Sequence, residues 1–141
     1  MTKLDVLIKR LAKKIEWQKV PADITEEDIG GMIVEAIKYL YVVTGRGNSI
    51  SDKDFRFDEE TGTATEFSYK LNTDEELFVM TYAERAFYKK VGTSLSDAIG
   101  YTTDALSITG ADKGFKNISG IIDKLDNEIK ILYYKMVRFT I

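Results

Sequence analysis

Leu4, Leu7, Ile8, Leu11 and Ile15 recur at helical spacing with lysines and Arg10 between them. The pattern predicts an amphipathic helix of about four turns. Val20-Pro21 stops it, because a residue before proline avoids the α region. A second helix follows a well-marked start. Thr25 fits the N-cap, Glu26, Glu27 and Asp28 put negative charge where the helix dipole favours it, and Ile24 and Ile29 suit a hydrophobic staple. Ile29, Met32, Ile33, Ala36, Ile37 and Leu40 form its apolar stripe, and Gly45 offers a left-handed C-cap. Gly30-Gly31 near the helix start reads as a place of close packing.

The period is then lost. In "GRGNSISDKDFRFDEETGTATEFSYKLN", Phe55 and Phe57 alternate with polar residues, "EETG" suits a turn, and Thr63, Thr65, Phe67 and Tyr69 alternate again. This predicts either a projecting extended arm over about residues 47–71 or a β-hairpin folded back onto the helices. Thr73 and Glu76 fit a capping box opening a third helix, with Val79, Met80, Ala83, Ala86, Phe87 and Val91 on one stripe and Gly92 as its end. Residues 93–110 fit helix or loop, and "ADKGFKN" reads as a turn. The last helix holds Ile118, Ile121, Ile122, Leu125, Ile129, Leu132 and Met136 on one stripe. Beyond Lys135 the period switches to two, with Val137, Phe139 and Ile141 alternating with Arg138 and Thr140, which predicts an extended tail over 137–141. The expected fold is a single, mainly α domain over residues 1–141. It is a four- to five-helix bundle with an arm or hairpin around 50–70 and an extended C-terminal tail.

These helices carry more apolar surface than one stripe each requires. Tyr39, Tyr41 and Val42 leave the stripe of the second helix, Phe78, Tyr82 and Tyr88 that of the third, and Ile131 and Tyr134 that of the last. A buried central helix accounts for two apolar faces on one element, less easily on three. Aromatic residues are enriched at interfaces, where they bury much area at low entropic cost. The excess therefore points to assembly.

Composition narrows the chemistry. The 141 residues, 44% hydrophobic and 30% charged, match an ordinary globular domain. With no cysteine and no histidine, the chain has no thiolate ligand, no disulfide and no imidazole base. No apolar run approaches the roughly 20 residues that span a bilayer, and the charged start lacks the apolar core of a secretory signal, so a cytoplasmic protein is expected. The net charge of −3 is uneven. Residues 1–20 hold six cations against two anions, a balance of +4, which leaves −7 for the remaining 121. An acidic body suits nucleic-acid binding poorly. The basic head suits an acidic partner, its own acidic body, or a solvated helix face.

Candidate catalytic groups have simpler explanations. The glycines of "GRGNS" follow a helix C-terminus, where the dipole repels anions, whereas a phosphate loop leads into an N-terminus. Asp23 to Asp28 and Asp74 to Glu76 sit at helix starts, where capping explains them. "DEETGTATE" lacks the ligand spacing of a calcium loop. Lys89-Lys90 is what a helix C-terminus prefers, and Ser94 and Ser119 have no histidine to activate them. The expectation is a protein that is not an enzyme, with no metal site and no cofactor.

Two segments carry a resemblance. "ITEEDIGGMIVEAIKYLYVVTGR" at 24–46 and "LNTDEELFVMTYAERAFYKKV" at 71–91, followed by the closing amphipathic helix, resemble the head–tail connector (adaptor, or head-completion) proteins of long-tailed bacteriophages. The likeness covers residues 117–136 by pattern only. It implies a ring of copies on the portal protein that extends the DNA channel without gripping DNA and seats the next neck or tail-completion protein. The location implied is the virion neck, after synthesis in the bacterial host cytoplasm, with no membrane contact. Under this resemblance Val137, Phe139 and Ile141 would bind the portal by strand addition. Phe55, Phe57, Phe67 and Tyr69 would form an inter-subunit arm. Tyr39, Tyr41, Phe78, Tyr82, Tyr88 and Tyr134 would form the inter-subunit helix surface. The alternatives are an acidic cytoplasmic regulatory module that binds another protein without forming a ring, a small enzyme using carboxylates or lysine, and DNA binding through residues 3–19.

Overall fold

The computed structural model describes the backbone of residues 1–15, 24–101 and 111–140, and their side chains apart from 93–101, 111–118 and 137–140. The chain is mainly α. Strand β1 (Thr2–Lys3) leads into helix α1 (Leu4–Ile15), followed by α2 (Glu26–Val43), β2 (Phe55–Phe57), β3 (Ala64–Phe67), α3 (Thr73–Tyr101) and α4 (Ala111–Thr140). The three strands form a small antiparallel sheet in the order β1-β3-β2.

Local chemistry explains both ends of α2. The Thr25 N–H donates to the Asp28 carboxylate at 3.0 Å and the Asp28 N–H donates to Thr25 Oγ1 at 3.2 Å, a reciprocal capping box. The Thr25 backbone donor holds the Asp28 carboxyl below its usual range, with help from Lys90 nearby. Ile24 and Ile29 on either side of the cap are both buried. At the other end Gly45 takes φ +75°, and the N–H groups of Gly45 and Arg46 donate to the carbonyls of Val42 and Tyr41 at 3.1 and 2.7 Å. That crossed pair is a Schellman motif, which only a left-handed residue allows.

The start of α3 differs from expectation by one residue. Asn72, not Thr73, is the cap. Its side chain accepts from the Glu75 N–H at 2.8 Å while Glu75 accepts from the Asn72 N–H at 3.1 Å. The helix also runs through Gly92 to Tyr101. Glycine weakens a helix by about 1 kcal/mol against alanine but stops it only when it turns left-handed, and Gly92 keeps helical backbone. Residues 93–101 are therefore helical, and 102–110 lie outside the described residues. Residues 111–117, expected as a turn, already belong to α4.

The extended tail is likewise replaced by helix over 137–140, because α4 continues to Thr140. Five alternating residues give a weak strand signal, and without a neighbouring strand the running helix gains one more hydrogen bond for each residue added. Ile141 lies outside the described residues.

The segment 47–71 settles as a hairpin folded back, not as a projecting arm. Phe55 pairs with Phe67, and a bulge between Arg56 and Phe57 brings Phe57 opposite Ala64. Phe55, Ala64 and Phe67 are buried, with the Phe55 and Phe67 rings stacked at 4.9 Å. Strand β1 locks the other edge of β3. Thr2 Oγ1 donates to the Tyr69 carbonyl at 2.7 Å and accepts from the Leu71 N–H at 3.1 Å. Gly30 is where hairpin and helices converge: a Cβ there would stand 3.3 Å from Ile8 and 3.6 Å from the Ala64 backbone, while Gly31 faces open space.

The core joins all four helices to the sheet. All five predicted positions of α1 are buried, and Phe67, Phe78 and Phe87 are fully enclosed, each stabilising the fold by roughly 1.5–3 kcal/mol. Helix α4 packs along α3 in the opposite direction, since Arg85 pairs with Asp126 while Asp74, earlier on α3, pairs with Lys135 at 3.4 Å.

Candidate interaction surface

Helix α2 presents two aromatic faces, and the structure treats them differently. Tyr41 is 5% exposed and meets Phe67 edge-on at 5.7 Å. The Arg46 guanidinium lies 4.3 Å from the Tyr41 ring centre, a cation–π contact. The same guanidinium donates to Glu75 Oε2 at 2.7 Å and to Thr44 Oγ1 at 3.0 Å. Glu75 also caps α3, so one carboxylate joins the "TGR" end of α2 to the "NTDEE" start of α3. Burial pushes the Tyr41 phenol above its usual value, against the pull of Arg46.

The other face is open. Tyr39 is 39% exposed and stacks on Tyr82 at 4.5 Å and on Phe78 at 6.0 Å. Helices α2 and α4 both pack on α3 and leave a groove between them of about 270 Å³. Tyr39 and Val43 line it from α2 and Ile129 and Tyr133 from α4, over a floor on α3 beneath which Phe78 lies fully buried. Asp126 and Lys130 complete the lining. Arg85 neutralises Asp126, whereas Lys130 has no ion-pair partner among the described residues.

The positions expected at interfaces therefore divide. Tyr41, Phe78, Phe55 and Phe67 belong to the molecule's own core, because the returning hairpin and the crossing of α2 over α3 enclose them. Tyr82 and Tyr88 are half-buried, Tyr88 edge-on to Phe87 at 5.3 Å. Phe57, Tyr69, Val42 and Ile131 are exposed, and Tyr134 is 62% exposed. The side chains of Val137 and Phe139, and all of Ile141, lie outside the described residues. Sequence reading missed Tyr133 and Val43 as groove residues and Leu77 as an exposed one. For Tyr133 a signal existed, since it stands one turn beyond Ile129 on α4.

The basic head is partly spent on the acidic body. Arg10 pairs with Glu76 at 3.6 Å and Lys14 with Glu84 at 2.9 Å. Glu84 is buried, and its Oε2 lacks hydrogen-bond geometry despite that short approach, so the lysine holds it by charge alone. On the α2 side Lys38 binds Asp52 at 2.9 Å, which raises the lysine pKa and lowers that of the carboxyl. Among the described residues no group of three or more metal-ligating side chains converges, and no helix is long and apolar enough to cross a membrane. No protein-family model, curated protein or solved structure matches the chain. The likeness to phage connectors thus rests on the quoted segments alone.

Proposed function

We propose that this protein is a structural adaptor of a phage neck, assembling as a ring on the portal, extending the DNA channel and seating the next neck or tail protein. The observation that supports it is the aromatic groove between α2 and α4, left open after the core is complete. Single exposed apolar residues are ordinary, but a recess lined by part-exposed apolar side chains of two helices, Tyr39 and Val43 facing Ile129 and Tyr133, offers a seat for a partner's side chain. The resemblance of residues 24–46 and 71–91 supplies the identity of the assembly, and no catalytic step is assigned. In this reading Val137, Phe139 and Ile141 contact the portal, and since the backbone of 137–140 is helical the contact is not made by adding a strand.

The test is particle mass after mixing with the portal complex from the same genome. A mass increment of many copies per portal is expected, and Phe139→Asp is expected to remove it while leaving the circular dichroism of the free protein unchanged. Absence of portal binding together with a one-to-one complex with some other protein would replace this proposal with the regulatory-module alternative.

A further inference from the structure

The hairpin tip offers a knob that matches the groove. Phe57 is 50% exposed and is followed at once by Asp58, Glu59 and Glu60. Asp58 Oδ1 is used within the turn, accepting from the Glu60 N–H at 2.8 Å. Glu59 and Glu60 have no ion-pair partner among the described residues. The tip is thus an aromatic ring beside uncompensated carboxylates. The groove is an aromatic recess whose one uncompensated charge, among the described residues, is the Lys130 ammonium.

A molecule cannot fill its own groove this way. The tip is tied to the start of α2, since a Cβ on Gly62 would lie 2.9 Å from Glu27 Oε1. From Glu27 to Tyr39 the helix axis rises by about 18 Å, at about 1.5 Å per residue. The hairpin also runs along a different side of α2. It meets the helix at Gly30 and Lys38, and at about 100° per residue Tyr39 and Val43 fall about 100–180° away from these.

From this juxtaposition we infer that the groove of one copy takes the Phe57 hairpin tip of a second copy. The knob and the groove are different patches, so the contact is heterologous, and such contacts close into rings when the rotation per subunit allows it. Phe57 supplies buried area against Tyr39 and Tyr133, and Lys130 meets the carboxylates of Glu59 and Glu60. This inference rests on the assembly proposed above but concerns only contacts between copies.

The absence of cysteine from the chain makes the test direct. Glu59→Cys and Lys130→Cys proteins are mixed at high concentration under mild oxidation, without portal. The mixture is expected to form a disulfide-linked dimer faster than a control pair of Glu59→Cys with Lys3→Cys, and the Glu59→Cys/Lys130→Cys double variant is expected to give a ladder of multimers. Adding Phe57→Ala to the Glu59→Cys copy should slow cross-linking about tenfold, the loss expected when an anchoring aromatic is truncated. Phe57 is exposed, so that variant keeps the fold, as circular dichroism will verify. Cross-linking no faster than the control, or unaffected by Phe57→Ala, overturns the inference. Portal binding is scored separately: a portal-binding protein that fails to cross-link discards this contact and keeps the adaptor function. A protein that cross-links but ignores the portal keeps the contact and discards that function.

Discussion

Tyr39 and Tyr41 stand two residues apart on one helix and meet opposite fates. Tyr41 is enclosed by Phe67 and roofed by Arg46, whereas Tyr39 stacks on Tyr82 and leaves one side of its ring to a groove. Two positions along a helix are about 200° apart, so what lies opposite each is decided by different parts of the chain. The hairpin returns over the Tyr41 side. On the Tyr39 side α3 lies beneath, and α4 stops short of closing the gap. An aromatic residue off the main stripe is therefore not by itself a mark of an interface. It becomes one only where no second element of the same chain arrives.

The strongest way to break this comparison is to delete each ring. Tyr41→Ala should cost about 3 kcal/mol in urea unfolding, as a buried aromatic truncation does, against about 1 kcal/mol for Tyr39→Ala, which loses mainly a half-exposed stack. Equal losses would mean that the two faces are equally closed in solution. The clamp on the Tyr41 side is a smaller term. Arg46→Ala should cost about 1–2 kcal/mol, and a double-mutant cycle with Glu75→Gln should show positive coupling, since the Glu75 carboxylate is largely buried and bonds both Arg46 and the α3 cap. Additive effects would show that the ion pair contributes nothing beyond its separate parts.

The smallest effect is seen in alkali. Burial raises the Tyr41 phenol pKa in the folded state, so the fold favours the neutral ring. The stability this brings is complete below the unfolded value of about 10 and is lost as pH rises through the higher folded value. Tyr41→Phe should therefore blunt the fall of the melting temperature at high pH. An unchanged alkaline limb would place the destabilising ionisation elsewhere.

Features set by near neighbours in the chain are legible in the sequence. The Thr25 cap, the Gly45 turn and the stripe of α1 each depend on residues within a few positions of one another. Sequence and structure part where two local signals compete. Asn72 and Thr73 are both good caps with a glutamate three residues on, and the choice of Asn72 lets Glu75 face Arg46. Gly92 suggests a stop because glycine is common at helix ends, yet only a left-handed backbone makes it one. The alternation over 137–141 suggests a strand, although a long helix adjoining a short alternating run simply continues. None of these local signals says which of the off-stripe rings another element will cover, so the groove itself was not legible.

The hydrophobic periodicity by itself determined that this chain makes amphipathic helices around a hairpin, because period, caps and turns are properties of short segments. Only the tertiary structure decided which aromatic residues are core and which remain open, and it placed Phe57 and the groove on different sides of α2. Burial depends on what comes from distant parts of the chain to lie against a ring, and a one-dimensional pattern carries no record of that meeting.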